Sequence, residues 1–327
     1  MNETLVANAL RLYGLDYVRI FPSQKGYRNE IYPIELKNLE KVQLTFFKNE
    51  PGILQRVQRA DTVSEFVASC GLPTRVRFDK KTIQLSSHSR CLYAGLYNYL
   101  PGNTIAWESY TKTHIKLLGQ TMSTMHSILA GQEFSNQPHV IDESVSLLER
   151  VEAYLSGDDI KMALLAKLGI NINIDFDKYK RLLVGCSGLP GNQQLHMDFV
   201  RGNILFAPAA SEDVCQLNNL AITGILDFEK TAVGLPVFDV ARTLAFLLVD
   251  CKSKTAAQVW KYFLYSGYQK RGAAKLRYNK SLLQQLVEFY LIHDFYKFLR
   301  HNPYESLNEN QHFIRTRYIM SEYGMIN

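Results

Sequence analysis

The chain has 327 residues, 37 Lys plus Arg against 31 Asp plus Glu, a net charge of +6 and 46% hydrophobic residues. That length holds about two domain units, and the hydrophobic share excludes disorder as the main state. The charges are mixed in sign without long blocks, which excludes a histone-like or tail-type nucleic-acid binder.

Residues 3–13 have the pattern of a short amphipathic helix closed by Gly14. An acid at Glu3 and no basic start argue against a secretory signal. Short β-type runs follow at 17–21, 31–36 and 42–47, separated by turn-like segments. Pro51-Gly52 breaks that texture, and Ile53, Val57, Ala60, Val63 and Val67 then recur at helical spacing. Strand-like runs near 74–78 and 82–85 lead to a third at 91–100, closed by Pro101-Gly102. Beyond it the chain turns helical, beginning with a stripe of Ile115, Leu118, Met122, Met125 and Leu129. Helical patterns recur near 142–155, 158–168 and 175–184, and again after Pro236, around strand-like islands at 202–206 and 221–228.

The expected fold is α+β and bilobal. A small antiparallel-sheet lobe with one helix, residues 1–99, precedes a larger, mostly helical lobe, residues 100–327. A cleft between two such lobes is a common place for a ligand. No apolar run reaches the roughly 18–20 residues that span a bilayer, so no membrane association is expected. The cysteines Cys70, Cys91, Cys186, Cys215 and Cys251 are far apart without a C-x-x-C, and read as free thiols of a cytoplasmic protein.

The sharpest signal is His196-Met197-Asp198-Phe199-Val200-Arg201-Gly202-Asn203, with Asp227-Phe228 beginning 24 residues after Asn203. H-x-D-x-x-x-x-N followed by D-F has the spacing of a kinase catalytic loop and metal-binding turn. Moving a γ-phosphoryl group needs one carboxylate at the acceptor hydroxyl, here Asp198, to orient it and take its proton. It also needs oxygen ligands for Mg²⁺, for which Asn203 and Asp227 qualify. The apolar runs on either side are expected to pair as a hairpin that returns Asp227 to the loop.

The N-terminal lobe must then supply a strand lysine for the nucleotide phosphates and a helix acid to hold it. Lys48 follows the run 42–47, and Glu65 lies on the following helix. Lys41 and Asp61 are their nearest competitors.

With these residues in place, the chain resembles the aminoglycoside phosphotransferase/choline kinase superfamily, whose fold is similar to that of protein kinases. Gly26-Tyr27-Arg28-Asn29 is similar to its G-x-x-N phosphate turn, Leu96 to Gly102 to its hinge, and Leu118-Gly119 through His126 to its L-G-x-x-L-x-x-L-H helix. Gly234 to Ala241 is similar to its G-x-P-x-x-D-L-A segment. The resemblance implies ATP and Mg²⁺ as cofactors, Asp198 as base, and Asn203 and Asp227 as metal ligands. Lys48, Glu65, Gly26 and Asn29 would serve the phosphates, and backbone near Asn98 and Leu100 would serve adenine. His196 and Asp239 are expected as scaffold, and Glu229 is left open. The family often has Gly where Met197 stands, and Arg201 faces either an anion or solvent.

The implied partner is a small-molecule alcohol of amino alcohol, sugar or antibiotic type, with no nucleic acid. A protein kinase-like enzyme and a non-catalytic nucleotide binder are the alternatives; no A-P-E follows Asp227-Phe228. Residues 251–327 carry 12 Lys plus Arg against 5 Asp plus Glu, which weighs against a polycationic acceptor. Aromatic residues crowding the same segment read as helix packing before a cage for a quaternary amine.

Overall fold

The computed structural model describes residues 3–25, 29–87, 90–270 and 279–327. Gly26, Tyr27 and Arg28 of the expected phosphate turn lie outside them. Helix α1 (Glu3–Leu12) precedes β1 (Tyr17–Ile20), β2 (Gln24–Lys25), β3 (Glu30–Leu36) and β4 (Lys41–Phe47). Helix α2 (Ile53–Ser69) leads to β5 (Arg77–Ser87) and β6 (Arg90–Asn98). The strands form one antiparallel sheet in the order β1-β3-β4-β6-β5, with β2 on β3.

The end of the run expected at 74–78 and the run at 82–85 belong to one strand, β5, while Thr74 forms an isolated bridge to Ile225. The register shifts between Arg77 and Asp79 and again between Asp79 and Thr82. The charged tripeptide Asp79-Lys80-Lys81 is therefore a bulge and not a turn, and a bulge keeps a strand paired while kinking it.

Alternation along β4 sorts the lobe into two faces. Val42, Leu44 and Phe46 join the α1 residues Val6, Ala9 and Leu10 in one core. Phe47 packs with Tyr97 and with Ile53 and Val57 of α2 on the other face. The rest of α2, through Ala60, Val63 and Val67, belongs to the large core of the helical lobe. Helix α2 thus bridges the sheet and the larger lobe.

The C-terminal lobe contains α3 (Lys112–Leu129), α4 (Val140–Leu155), α5 (Asp158–Leu168) and α6 (Phe176–Ser187). Short strands follow: β7 (Gln193–Leu195), β8 (Ile204–Pro208), β9 (Gln216–Leu217), β10 (Leu220–Ile225) and β11 (Ala232–Gly234). Helices α7 (Pro236–Asp250), α8 (Ala256–Trp260), α9 (Lys280–His301), α10 (Tyr304–Leu307) and α11 (Gln311–Glu322) complete it, with a π-helix at Lys261–Tyr268. Strands β8 and β10 pair antiparallel, as the apolar runs predict, and β9 adds to β10.

Gly119 allows α3 to touch the π-helix backbone directly. A Cβ there would stand 2.2 Å from the Phe263 carbonyl oxygen and 2.7 Å from the Tyr268 nitrogen. Both are backbone atoms, so neither can swing aside. Gly119→Ala is expected to destabilise the protein by about 1–3 kcal/mol, read as a lower denaturant midpoint. An unchanged midpoint would show that the two helices slide apart freely.

Candidate active site

The loop between β7 and β8 is built around a buried carboxylate that is not its base. Asp239, 0% exposed on α7, accepts from the N–H groups of His196 (2.9 Å) and Met197 (3.0 Å). His126 Nε2 on α3 donates to the same carboxylate at 3.1 Å, and its Nδ1 lies 2.7 Å from the Tyr268 hydroxyl. Burial pushes the Asp239 carboxyl up, but these hydrogen bonds outweigh it and hold the group below its ordinary value. Met197 sits at φ 59°, in the left-handed region that glycine tolerates best. The Asp239 bonds on either side of its peptide hold it there.

His196 is wholly buried. Its Nδ1 accepts from the Asp198 N–H at 3.1 Å, and its Nε2 donates to the Leu226 carbonyl at 3.1 Å. Burial lowers its pKa, so it bridges the two halves of the site as a neutral ring. The Leu226 N–H donates to the Asn203 carbonyl at 2.8 Å. These backbone bonds carry Asp227 back beside the loop.

Asp198 is 5% exposed and held from three sides. Asn203 Nδ2 donates to its Oδ2 at 3.0 Å, Lys230 Nζ lies 2.7 Å from its Oδ1, and Arg242 Nη2 lies 3.3 Å from the same oxygen. Burial would raise this carboxyl, but the charges of Lys230 and Arg242 outweigh burial and keep it low. Asp198 is therefore ionised at neutral pH and aimed by two cations. Sequence reasoning missed both. Lys230, three residues after Asp227, carried a local signal; Arg242 reaches the loop only through the packing of α7.

The donor set fits a hard divalent cation. The Asn203 amide nitrogen is committed to Asp198, bonding its carbonyl and its carboxylate at 3.0 Å each, which leaves the amide oxygen for a metal. Asp227, itself at φ 58°, accepts from the Glu229 N–H through Oδ1 at 3.3 Å. Among the described residues no group of three or more His, Cys, Asp or Glu gathers to hold a metal. One carboxylate and one amide suit Mg²⁺, which takes its other ligands from phosphates and water.

Across the cleft, Asn29 Nδ2 donates to Glu229 Oε1 at 2.6 Å and ties the start of β3 to the metal-site turn. Glu229, left open by sequence, is 8% exposed, and its carboxyl is raised by burial and by Asp227 beside it.

The expected Lys48–Glu65 pair does not form. Lys48 Nζ lies 3.5 Å from Glu50, with its side chain 60% exposed, and Glu65 pairs with Lys80 at 2.5 Å. Lys48 lies just past the end of β4, and the Glu50 that it meets is also held by Arg56 of α2 at 3.0 Å. The buried acid on α2 is the competitor Asp61, which meets Arg77 Nε at 2.6 Å and the Tyr97 hydroxyl at 3.1 Å. At the end of β6 the Asn98 N–H donates to the Val76 carbonyl and its side-chain oxygen accepts from the Val76 N–H.

Beside the catalytic loop opens a cavity of about 670 Å³. Val200, Phe246, Val249 and Phe298 give it an apolar wall, and Arg201, Lys230, Lys297, Asp250 and Asp294 give it charge. Arg201 faces neither a free anion nor bulk solvent: it donates to the Ile105 carbonyl at 3.0 Å and pairs with Asp250 at 3.5 Å.

Burial pushes the Asp250 carboxyl up to about 6, against the opposing charges of Arg201 and Lys252. The folded chain therefore keeps this proton to higher pH than the unfolded chain. The resulting stability is complete below the unfolded value near 4 and lost as pH rises through about 6. Asp250→Asn is expected to remove that fall, worth roughly 3 kcal/mol, from denaturation midpoints measured between about pH 4 and 7. Parallel curves for variant and wild type would contradict it.

A two-lobed α+β fold with an H-x-D loop against a D-F turn defines a kinase-like phosphotransferase. The family pattern APH, Phosphotransferase enzyme family, matches residues 22–273, and the chain belongs to that family. It is a small-molecule kinase with an alcohol group as acceptor.

Solved structures share the fold. An amicoumacin kinase, hAmiN, in complex with AMP-PNP, Ca²⁺ and Ami is 12% identical at a TM-score of 0.69, covering 99% of this chain and 94% of that one. The GDP complex of aminoglycoside 2'-phosphotransferase-IIIa is 13% identical at 0.61, covering 97% and 99%. A microcompartment-associated aminopropanol kinase is 14% identical at 0.59, covering 98% of each chain. The comparison with curated proteins gives no match. Among the described residues no helix is long and apolar enough to cross a membrane.

Proposed function

We propose that the chain moves the γ-phosphoryl group of ATP, with Mg²⁺, to a hydroxyl of a small molecule seated in the 670 Å³ cavity. The observation that carries this reading is Asp198, ionised and aimed by Lys230 and Arg242, with Lys230 and the adjoining loop residues Val200 and Arg201 lining that cavity. Asn203 and Asp227 would hold the metal, which neutralises charge on the phosphates when bound.

Asp198 orients the acceptor hydroxyl and takes its proton as the oxygen–phosphorus bond forms. A carboxylate held this low is a weak base, which suits a loose transition state in which the proton leaves late. The lobe-spanning contacts of α2 and Asn29 set the distance between the halves of the site. Asn203 and His196 fix the loop geometry around the reacting group.

The cavity argues about the acceptor. Its acids Asp250 and Asp294 already face Arg201 (3.5 Å) and Lys297 (3.6 Å), and Lys230 is held by Asp198 (2.7 Å). Such a lining favours a neutral or weakly charged alcohol with an apolar portion over a polycation.

The test is a panel of hydroxylated metabolites and antibiotics, with Mg-ATP and Mg-GTP, read by release of nucleoside diphosphate. Turnover of an alcohol with an apolar body is expected. No turnover together with no thermal shift by either nucleotide would reject the reading.

A further inference from the structure

We infer that Arg75, and not a strand lysine, is the cation with which the N-terminal lobe holds the nucleotide phosphates. This rests on the nucleotide site proposed above and assigns it a residue.

The other cations nearby are committed or turned away. Arg77 pairs with Asp61 at 2.6 Å, Arg56 with Glu50 at 3.0 Å and Lys80 with Glu65 at 2.5 Å. Lys41 stands over the Tyr99 ring, and Lys48 lies 3.5 Å from Glu50 with its side chain 60% exposed. On the side of β4 that faces α2, the residues are Gln43, Thr45 and Phe47, with no charge among them.

Arg75 differs in each respect. Among the described residues it has no ion-pair partner, and its single side-chain hydrogen bond is a long one to Thr45 Oγ1, at 3.5 Å. Its guanidinium lies 3.9 Å from the centre of the buried Tyr97 ring, which fixes its plane. Its backbone is clamped on two sides. Ser64 donates to its carbonyl, and the preceding residue, Thr74, bridges Ile225, whose N–H donates to the Pro73 carbonyl at 2.7 Å.

Ile225 is two residues before Asp227. The same clamp therefore registers Arg75 against the metal-site turn, and Arg75 lines one crevice with Asp61, Asp227 and Phe228. A planar, oriented guanidinium without a carboxylate partner, beside a metal ligand, is the geometry that takes a phosphate oxygen pair. Asp61 then acts by holding Arg77 and the Tyr97 hydroxyl, and so the ring under Arg75.

The test measures binding of Mg-AMP-PNP and of adenosine to the full chain by calorimetry. Arg75→Ala and Arg75→Gln are expected to raise Kd for Mg-AMP-PNP about 10–100-fold, the range lost with a charge-assisted hydrogen bond. Adenosine, which has no phosphates, should keep its Kd within about 2-fold. Arg75→Lys should fall between, because it keeps the charge and loses the fork. Equal weakening of both ligands would overturn the assignment, as would loss of Mg-AMP-PNP binding in Lys48→Ala but not in the Arg75 variants. A wild-type chain that bound neither ligand would instead overturn the nucleotide site and this assignment with it.

Discussion

Asp198→Asn is expected to lower kcat by about 10²–10⁴-fold, the usual contribution of a positioned acid or base. The substitution keeps the shape and the contact with Asn203 but removes the group that takes the acceptor's proton. On the reading proposed above the nucleotide lies on the other side of the metal site, so its affinity, read by thermal shift, should change little. The carboxylate also neutralises Lys230 and Arg242, at 2.7 and 3.3 Å. With it gone, Arg242 stays in the interior with less compensation and the melting temperature should fall. Stability and chemistry are separated by working well below that temperature. A variant with wild-type kcat would show that Asp198 is a structural counter-ion and not the base.

Asp239→Ala should have the largest effect on stability. It leaves the His196 and Met197 N–H groups and His126 Nε2 without their acceptor in space that is 0% exposed. Breaking a buried hydrogen-bonded charge of this kind costs about 3–5 kcal/mol. In a chain of this size that is a loss of about 4–7 °C in melting temperature. It should also cost activity, because nothing would then hold Met197 at φ 59° and Asp198 would drift.

The acid limb adds a check. The Asp239 carboxyl is held low in the folded chain, so its contribution is present above the unfolded value of about 3.9 and lost as pH falls through the folded one. Asp239→Ala should therefore flatten the acid limb of the stability curve. An unchanged melting temperature would mean that the loop is held by its own backbone.

The legible parts of the site share one property: they are local. His196, Asp198 and Asn203 lie on one loop, and the apolar runs around them pair as the adjacent strands β8 and β10. The expected strand–helix–strand order of the first lobe rests likewise on short-range periodicity. Lys48 and Glu65 failed for a different reason. Each acquires a different partner, Glu50 for Lys48 and Lys80 for Glu65, and spacing along the chain does not reveal which. The bulge at Asp79 hid in the same way, since a charged tripeptide reads as a turn until the partner strand shows continued pairing.

The length holds about two domain units, the motif positions place the hinge between them, and no apolar run is long enough to span a bilayer. The motif spacing then determined the reaction class, because a loop that brings base and metal ligand together must carry them at fixed separations along the chain. The tertiary structure alone decided how that loop is held and charged. Lys230 and Arg242 reach Asp198, and Asp239 reaches the His196 and Met197 peptides, across the packing of separate elements. The mildly basic balance likewise gained meaning only there, as the charges that line the acceptor cavity were sorted into pairs. Burial and pair formation depend on which distant residues become neighbours, and no spacing along the chain encodes that.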